Sequence, residues 1–400
     1  MKREFLVLSA AAAFTMAWCA PAGAYDAGFR KFVEGLWPVV AQAKIKRQTF
    51  ERGFAGVDEP DPAVLKLANN QPEFTSTTSQ YLAKAVTPAR IETGKAMLQE
   101  KAALLDALQK RYGVDRHILL AIWGIESNFG KDKGSMGVMR SLATLAYHGA
   151  RSNYARPQII AALRILQSGV VTPQSFTGSW AGAMGHTQFI PTSYISFAVD
   201  WTGDGVRDVW GSEADALAST ANYLAKSGWS SSRPWGWEIS LPQDFDRSLI
   251  GRTRPRSIAE WKKIGVRPVH GNFGGVDAKA FIIVPQGLDG PAFLVTQNFN
   301  AVMAYNESHS YAVAVGHLAD RIAGKGPIEA PWPEQAINLS FAERVEMQKR
   351  LIGHGFPTGG TDGRFGARTY EAILAFQKKR RLALDGVPTR ALLVELRKGG

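Results

Sequence analysis

Cysteine is nearly absent: Cys19 is the only one in 400 residues. It lies among the leading residues, so the chain beyond it has no disulfide, no thiol nucleophile and no cysteine metal site. There is no Ser-x-x-Lys, and the seven histidines form no His-Glu-x-x-His pattern, which disfavours peptidase chemistry. The ordinary fate of such histidines is surface or hydrogen-bonded core. No stretch after the N-terminus is long and apolar enough to span a bilayer. Acidic residues are short too: 35 Asp/Glu stand against 47 Lys/Arg, for a net charge of +12, so an anionic partner is expected.

What is present begins with a leader. Lys2-Arg3 is a charged start, Phe5 to Trp18 is apolar, and Ala22-Gly23-Ala24 is a cleavage pattern. A signal peptide over 1–24 is expected, with the mature chain starting at Tyr25. Trp18 is too large to precede a lipidated cysteine, so lipoprotein anchoring at Cys19 is not expected. The expected location is the periplasm. There an anionic cell-wall polymer suits the positive charge, and nucleic acid does not.

Residues 25–326 read as one mostly helical unit. Helices are expected over Ala96 to Tyr112, Pro157 to Gly169, Ala216 to Ser227 (starting near Ser212) and His309 to Ile322. Prolines 234, 242, 255 and 268 break that texture, and about 231–300 reads as a small β insertion. Its centre is a hairpin of Lys279 to Pro285 with Pro291 to Phe299. A Pro-rich linker, 327–337, favours an extended spacer. Residues 338–400 form a compact basic unit with twelve Lys/Arg against six Asp/Glu. The fold class is therefore mostly α (α+β), with a small C-terminal module.

Two motifs carry chemistry. In Ala121-Ile122-Trp123-Gly124-Ile125-Glu126-Ser127-Asn128-Phe129-Gly130, a carboxylate ends an apolar run. Asp115 is a plausible N-cap, Leu119, Leu120, Ile122 and Trp123 a buried face, and Gly130 a stop. Glu126 then sits in the last turn of a buried helix, where desolvation raises a carboxyl pKa and suits a general acid. A glutamate simply reaching solvent is the competing reading. The second motif is Gly178-Ser179-Trp180-Ala181-Gly182-Ala183-Met184-Gly185-His186-Thr187-Gln188-Phe189-Ile190-Pro191-Thr192-Ser193-Tyr194. Its small residues permit close approach of a ligand or of backbone. Trp180, Phe189 and Tyr194 offer flat faces to sugar rings, while Gln188, Thr187 and Ser179 offer hydrogen bonds.

Together these motifs resemble the lytic murein transglycosylases, more narrowly the membrane-bound lytic transglycosylase B family. Ala221-Asn222-Tyr223-Leu224, Asn298-Phe299-Asn300, Tyr305-Asn306 and Tyr311-Ala312-Val313-Ala314 agree with it. The resemblance implies a lysozyme-like domain with one catalytic glutamate at Glu126. It implies cleavage between N-acetylmuramic acid and N-acetylglucosamine, closing a 1,6-anhydro ring without water. Ser179, Met184, Gln188, Tyr223 and Tyr305 become substrate-binding expectations, and Tyr311 and Arg151 match cleft positions less closely. A hydrolytic muramidase in the same cleft, or a non-catalytic peptidoglycan-binding protein, are the alternatives. The implied partners are peptidoglycan glycan strands and cell-wall synthases, and a monomer is expected.

Two further stretches matter. Asp200-Trp201-Thr202-Gly203-Asp204-Gly205-Val206-Arg207-Asp208 resembles the start of an EF-hand loop, though Gly211 replaces the closing glutamate. Asp200, Thr202, Asp204, Val206 and Asp215 are the candidate ligands of a structural calcium, and catalysis would need no cofactor. Arg344 to Leu351, Thr361 to Thr369 and Ala375-Phe376-Gln377 resemble the peptidoglycan-binding domain, type 1, a three-helix module. Lys378-Lys379-Arg380-Arg381 is then a candidate contact for wall carboxylates, or simply a solvated helix end.

Overall fold

The computed structural model describes residues 27–68, 76–148, 151–334, 339–363 and 365–398. The leader with Cys19, residues 335–337 of the linker and residue 338 lie outside them. No helix among the described residues is long and apolar enough to cross a membrane.

Helix Arg116–Ser127 starts as its sequence dictates. The Asp115 carboxylate accepts the His117 amide and so satisfies one of the donors a helix start leaves open. Leu119, Leu120, Ile122 and Trp123 are fully buried. The helix stops three residues before Gly130. Asn128, Phe129 and Gly130 all take positive φ (49°, 57° and 83°), and the first two amides bond back to Gly124 and Trp123. This left-handed turn closes the helix and carries the chain away from it.

The other helices follow the pattern with instructive shifts. The expected Ala96–Tyr112 helix is two, Pro88–Glu100 and Ala102–Tyr112, broken at Lys101. Helix Ser152–Ser168 starts five residues before Pro157, which lies inside it. Proline there removes one helical donor, but the flanking turns still form. Glu213–Lys226 is capped by Ser212, and His309–Ile322 by Ser308.

Among the described residues, seven short strands make two sheets. β1 (Met136–Gly137) pairs with β2 (Thr177–Gly178). β3 (Gly236–Ser240), β4 (Arg256–Ser257), β5 (Arg267–Pro268), β6 (Lys279–Ile283) and β7 (Ala292–Thr296) form an antiparallel sheet in the order β4-β6-β7-β3-β5. The expected hairpin is β6–β7, with Phe281 opposite Val295. The second run ends early because Thr296 caps a new helix, Gln297–Tyr305.

Two apolar cores build the helical unit. One gathers helices Arg116–Ser127 and His309–Ile322. The other gathers Val138–Tyr147, Ser152–Ser168 and the buried part of the 176–198 segment. Tyr223 and Tyr305 touch both, so these two tyrosines mark the seam. Among the described residues of the C-terminal module there are three helices, Phe341–Gly353, Ala367–Arg380 and Arg390–Arg397. Ser340 and Glu343 close the first with a reciprocal capping box.

The module is not held at arm's length. The linker lies against the helical unit: the Glu329 and Ala330 amides donate to Glu238, and Trp332 packs on Phe293. The Arg252 amide donates to Glu371 of the module at 2.8 Å. His309 packs edge-on against Tyr370, centroids 5.0 Å apart.

Burial pushes His309 down to about 3, with Arg252 adding to the effect, and His317 down to about 4, with Arg321 adding. Both lie below the 6.5 of an unfolded chain. Above about pH 6.5 neither state binds the proton, and the full contribution to stability is present. As pH falls from there toward 3, the unfolded chain takes protons that the fold refuses, and stability is lost by up to about 1.4 kcal/mol per pH unit per group. His309→Phe should therefore show a smaller fall in Tm between pH 7 and pH 4 than the parent chain. Equal falls would remove His309 from this account.

Candidate active site

Glu126 is half-buried at the end of its helix, and Tyr311 lies beneath it. The Tyr311 hydroxyl donates to Glu126 Oε1 at 2.6 Å. Burial first, and then the nearby carboxylate, raises the Tyr311 pKa well above its ordinary value. The phenol therefore stays protonated and remains a donor across the working pH range. Tyr305, also pushed up by burial, donates to the Thr187 carbonyl at 2.6 Å. Tyr223 packs edge-on against Tyr305, centroids 4.9 Å apart, and bonds the Ala304 carbonyl.

The 178–190 segment forms the facing wall. Its glycines serve backbone approach: a Cβ on Gly185 would meet the Val209 carbonyl at 2.2 Å, and one on Gly178 would meet that of Ala183 at 2.2 Å. The alanines Ala181 and Ala183 line the cleft instead. Ser179 Oγ accepts the amides of Ala181 (3.3 Å) and Ala183 (3.1 Å), which leaves its own proton for a ligand. Gln188 has φ +52°. Its amide nitrogen donates to the carbonyls of Gly185 (2.9 Å) and Lys133 (3.1 Å), and its Oε1 is available to a ligand donor.

A buried clip joins this wall to the Glu126 helix. Ser127 Oγ donates to the His186 carbonyl and accepts the Gly130 amide. Trp123 Nε1 donates to His186 Nδ1 at 3.2 Å. Burial, with Lys133 adding, lowers the His186 pKa. The neutral ring it favours has the acceptor that the indole requires.

The cleft measures about 760 Å³ and is lined by Glu126, Arg151, Ser179, Gln188 and Tyr305 among the expected residues. The Arg151 guanidinium stands 4.8 Å over the Trp180 ring. Tyr311 reaches the cleft only through Glu126, and Tyr223 backs Tyr305 without lining the space. Met184 is a correction. It is fully buried in the second core, with its amide and carbonyl paired to Phe189, so its side chain supports the wall from behind. Phe189 and Tyr194 are buried too, leaving Trp180 as the ring facing a ligand. Thr187 is likewise buried and contributes its carbonyl to Tyr305.

Several lining residues were missed. Tyr154 holds the Ala181 carbonyl at 2.8 Å, one turn after Arg151 on the same helix, a spacing that was readable. Glu307 follows the Tyr305-Asn306 pair and stands 3.7 Å from Arg368 of the module. Thr358, Gly359, Gly360, Asp362 and Arg368 bring the C-terminal module into the cleft wall. Nothing local in the sequence signals that placement.

Of the five calcium-loop residues, Asp215 is the one fully committed to the loop backbone. Asp215 is buried, and its two oxygens accept the amides of Trp201, Thr202 and Asp208. Asp200 accepts the amides of Gly203 and Gly205. Asp204 accepts that of Val206. Thr202 donates its hydroxyl to Asp200. Asp200 and Asp204 keep lone pairs beyond these amide bonds, so the loop still has oxygens to offer a calcium ion. Among the described residues, no group of three or more His, Cys, Asp or Glu side chains is placed to hold a metal.

Comparison with known proteins gives a consistent result. Residues 28–320 match the model of the transglycosylase SLT domain, and residues 342–396 match that of a peptidoglycan binding domain. The membrane-bound lytic murein transglycosylase B of Escherichia coli (strain K12) is 28% identical over 276 residues, 65% of this chain and 74% of that protein. Among solved structures, SltB3 from Pseudomonas aeruginosa in complex with NAG-NAM-pentapeptide is 47% identical. It superposes with a TM-score of 0.81 over 92% of this chain and 99% of that one. The Escherichia coli lytic transglycosylase Slt35 in complex with calcium is 26% identical, with a TM-score of 0.60 over 74% and 93%.

A structural calcium in the 200–215 loop should raise Tm by a few degrees at millimolar calcium, and a chelator should reverse the rise. An unchanged Tm under both conditions would count against calcium in this loop.

Proposed function

The chain belongs to the transglycosylase SLT family, and from that membership we propose that it is a lytic transglycosylase of peptidoglycan. It cleaves the β-1,4 bond between N-acetylmuramic acid and N-acetylglucosamine and leaves 1,6-anhydromuramic acid ends. The observation that carries this reading is Glu126, held by the buried Tyr311 hydroxyl and opening into a long cleft.

Protonated Glu126 donates to the glycosidic oxygen as the bond breaks. The resulting carboxylate then takes the proton of the muramyl C6 hydroxyl, which attacks the anomeric carbon. The proton returns to Glu126, no water is consumed, and no cofactor is needed. Ordinary glycosidases divide these roles between two carboxylates. Here Glu307, the other acid that the catalytic unit places in the cleft, stands beside Arg368 near the module. Ser179 and Gln188 supply a donor and an acceptor for sugar or N-acetyl groups. Trp180 with Arg151 supplies a stacking face, and Tyr305 holds the seam.

The chain divides into a leader (1–24), a catalytic unit (25–326) with its β insertion (about 231–300), a linker (327–337) and a wall-binding module (338–400). The substrate lies outside the cytoplasm, and the leader and net charge of +12 fit the periplasm. The enzyme works as a monomer on glycan strands, with cell-wall synthases as candidate partners.

Digestion of purified sacculi, read by mass spectrometry, tests this reading. The mature chain should give muropeptides with anhydro ends, and Glu126→Gln should lose at least about 100-fold in turnover, as expected for removal of a general acid and base. Full activity in that variant, or reducing ends from the parent, would refute the scheme. Tyr311→Phe removes one charge-assisted hydrogen bond and should cost about tenfold or more in kcat with the fold intact. An unchanged kcat would show that the tyrosine only packs.

A further inference from the structure

A second groove, about 300 Å³, runs between the β insertion and the C-terminal module. Its floor is apolar: Ile250 from the insertion, and Phe356, Leu374 and Leu384 from the module. Arg247, Arg254 and Lys378 stand around it, all exposed. None of these three cations stands in an ion pair among the described residues. Asp246 feels Arg254 and Lys378 at a distance, but its carboxylate is bonded to the Ser248 amide. The single acid in the lining, Glu371, is occupied by the Arg252 amide, and burial raises its pKa. The groove therefore presents three unpaired cations above an apolar floor.

Its position adds to its chemistry. Phe356 and Pro357 line the groove, while Thr358, Gly359 and Gly360 line the catalytic cleft. One stretch of five residues serves both, so its ends lie at most about 17 Å apart. An extended pentapeptide spans the same length. Peptidoglycan carries such peptides on its muramyl residues, with free carboxylates and alanine methyl groups. These match the cations and the apolar floor.

We propose that this groove binds the carboxylate-bearing peptide stem of peptidoglycan. The assignment rests on the reading of the enzyme as a peptidoglycan transglycosylase. A stem seated there bridges the insertion and the module, so it also favours the docked arrangement in which the module walls the cleft. Of the basic run 378–381, Lys378 is the member that lines this groove.

The test is calorimetry of the full mature chain with a free stem pentapeptide, beside kinetics on peptide-bearing and amidase-stripped glycan strands. The double variant Arg254→Glu/Lys378→Glu should weaken pentapeptide binding and raise KM for peptide-bearing strands about fivefold, the scale of losing two exposed ionic contacts. It should leave kinetics on stripped strands unchanged. Ala375→Trp, which fills the groove without altering charge, should do the same. Absence of pentapeptide binding to the parent, equal affinity in the variants, or an equal KM rise on both substrates would overturn the assignment. Cleavage of stripped strands to anhydro ends reads the functional proposal separately, so failure of one is not mistaken for failure of the other.

Discussion

The hydrogen bond from Tyr311 to Glu126 is the interaction on which the rest of the site depends. It joins the C-terminal end of one buried helix to the N-terminal turn of another. Because the tyrosine is buried and stays protonated, it always has a proton to donate. It fixes a carboxyl oxygen in place without sharing its charge, and a group that must give and then retake a proton needs a constant position more than a second acid beside it. Tyr305 does similar work for the facing wall, binding the Thr187 carbonyl, and Tyr223 backs it. The cleft thus opens at the seam between two apolar cores, with aromatic hydroxyls directed inward at backbone and carboxylate.

The Glu126 helix was legible because each of its signals is local. Asp115 caps it, four apolar residues bury it, and positive-φ residues end it. Its exact end was less legible, since Asn128 and Phe129 adopt the left-handed conformation before Gly130 does. The start of Ser152–Ser168 was missed because an interior proline looks like a first-turn proline in sequence. In the glycine-rich segment, composition alone did not say which small residues meet ligand and which meet backbone. Gly178 and Gly185 meet carbonyls and the alanines meet the cleft, which places Met184 and Phe189 behind the wall.

Long-range placement was the part that no spacing encoded. His186 is unremarkable in sequence, yet it links Trp123 and Ser127 to the loop that carries Gln188. The module, joined by a proline-rich linker, reads as a tethered unit, yet the linker is held by Glu238 and the module lines the cleft.

The central claim is that one carboxylate serves both proton transfers while the substrate's own hydroxyl replaces water. Digestion of sacculi in water enriched in oxygen-18, followed by mass spectrometry of the newly formed muramyl ends, tests it most directly. The account predicts anhydro ends that carry no heavy oxygen. Incorporation of one heavy oxygen per cleaved bond would mean that water is the nucleophile, and would contradict it.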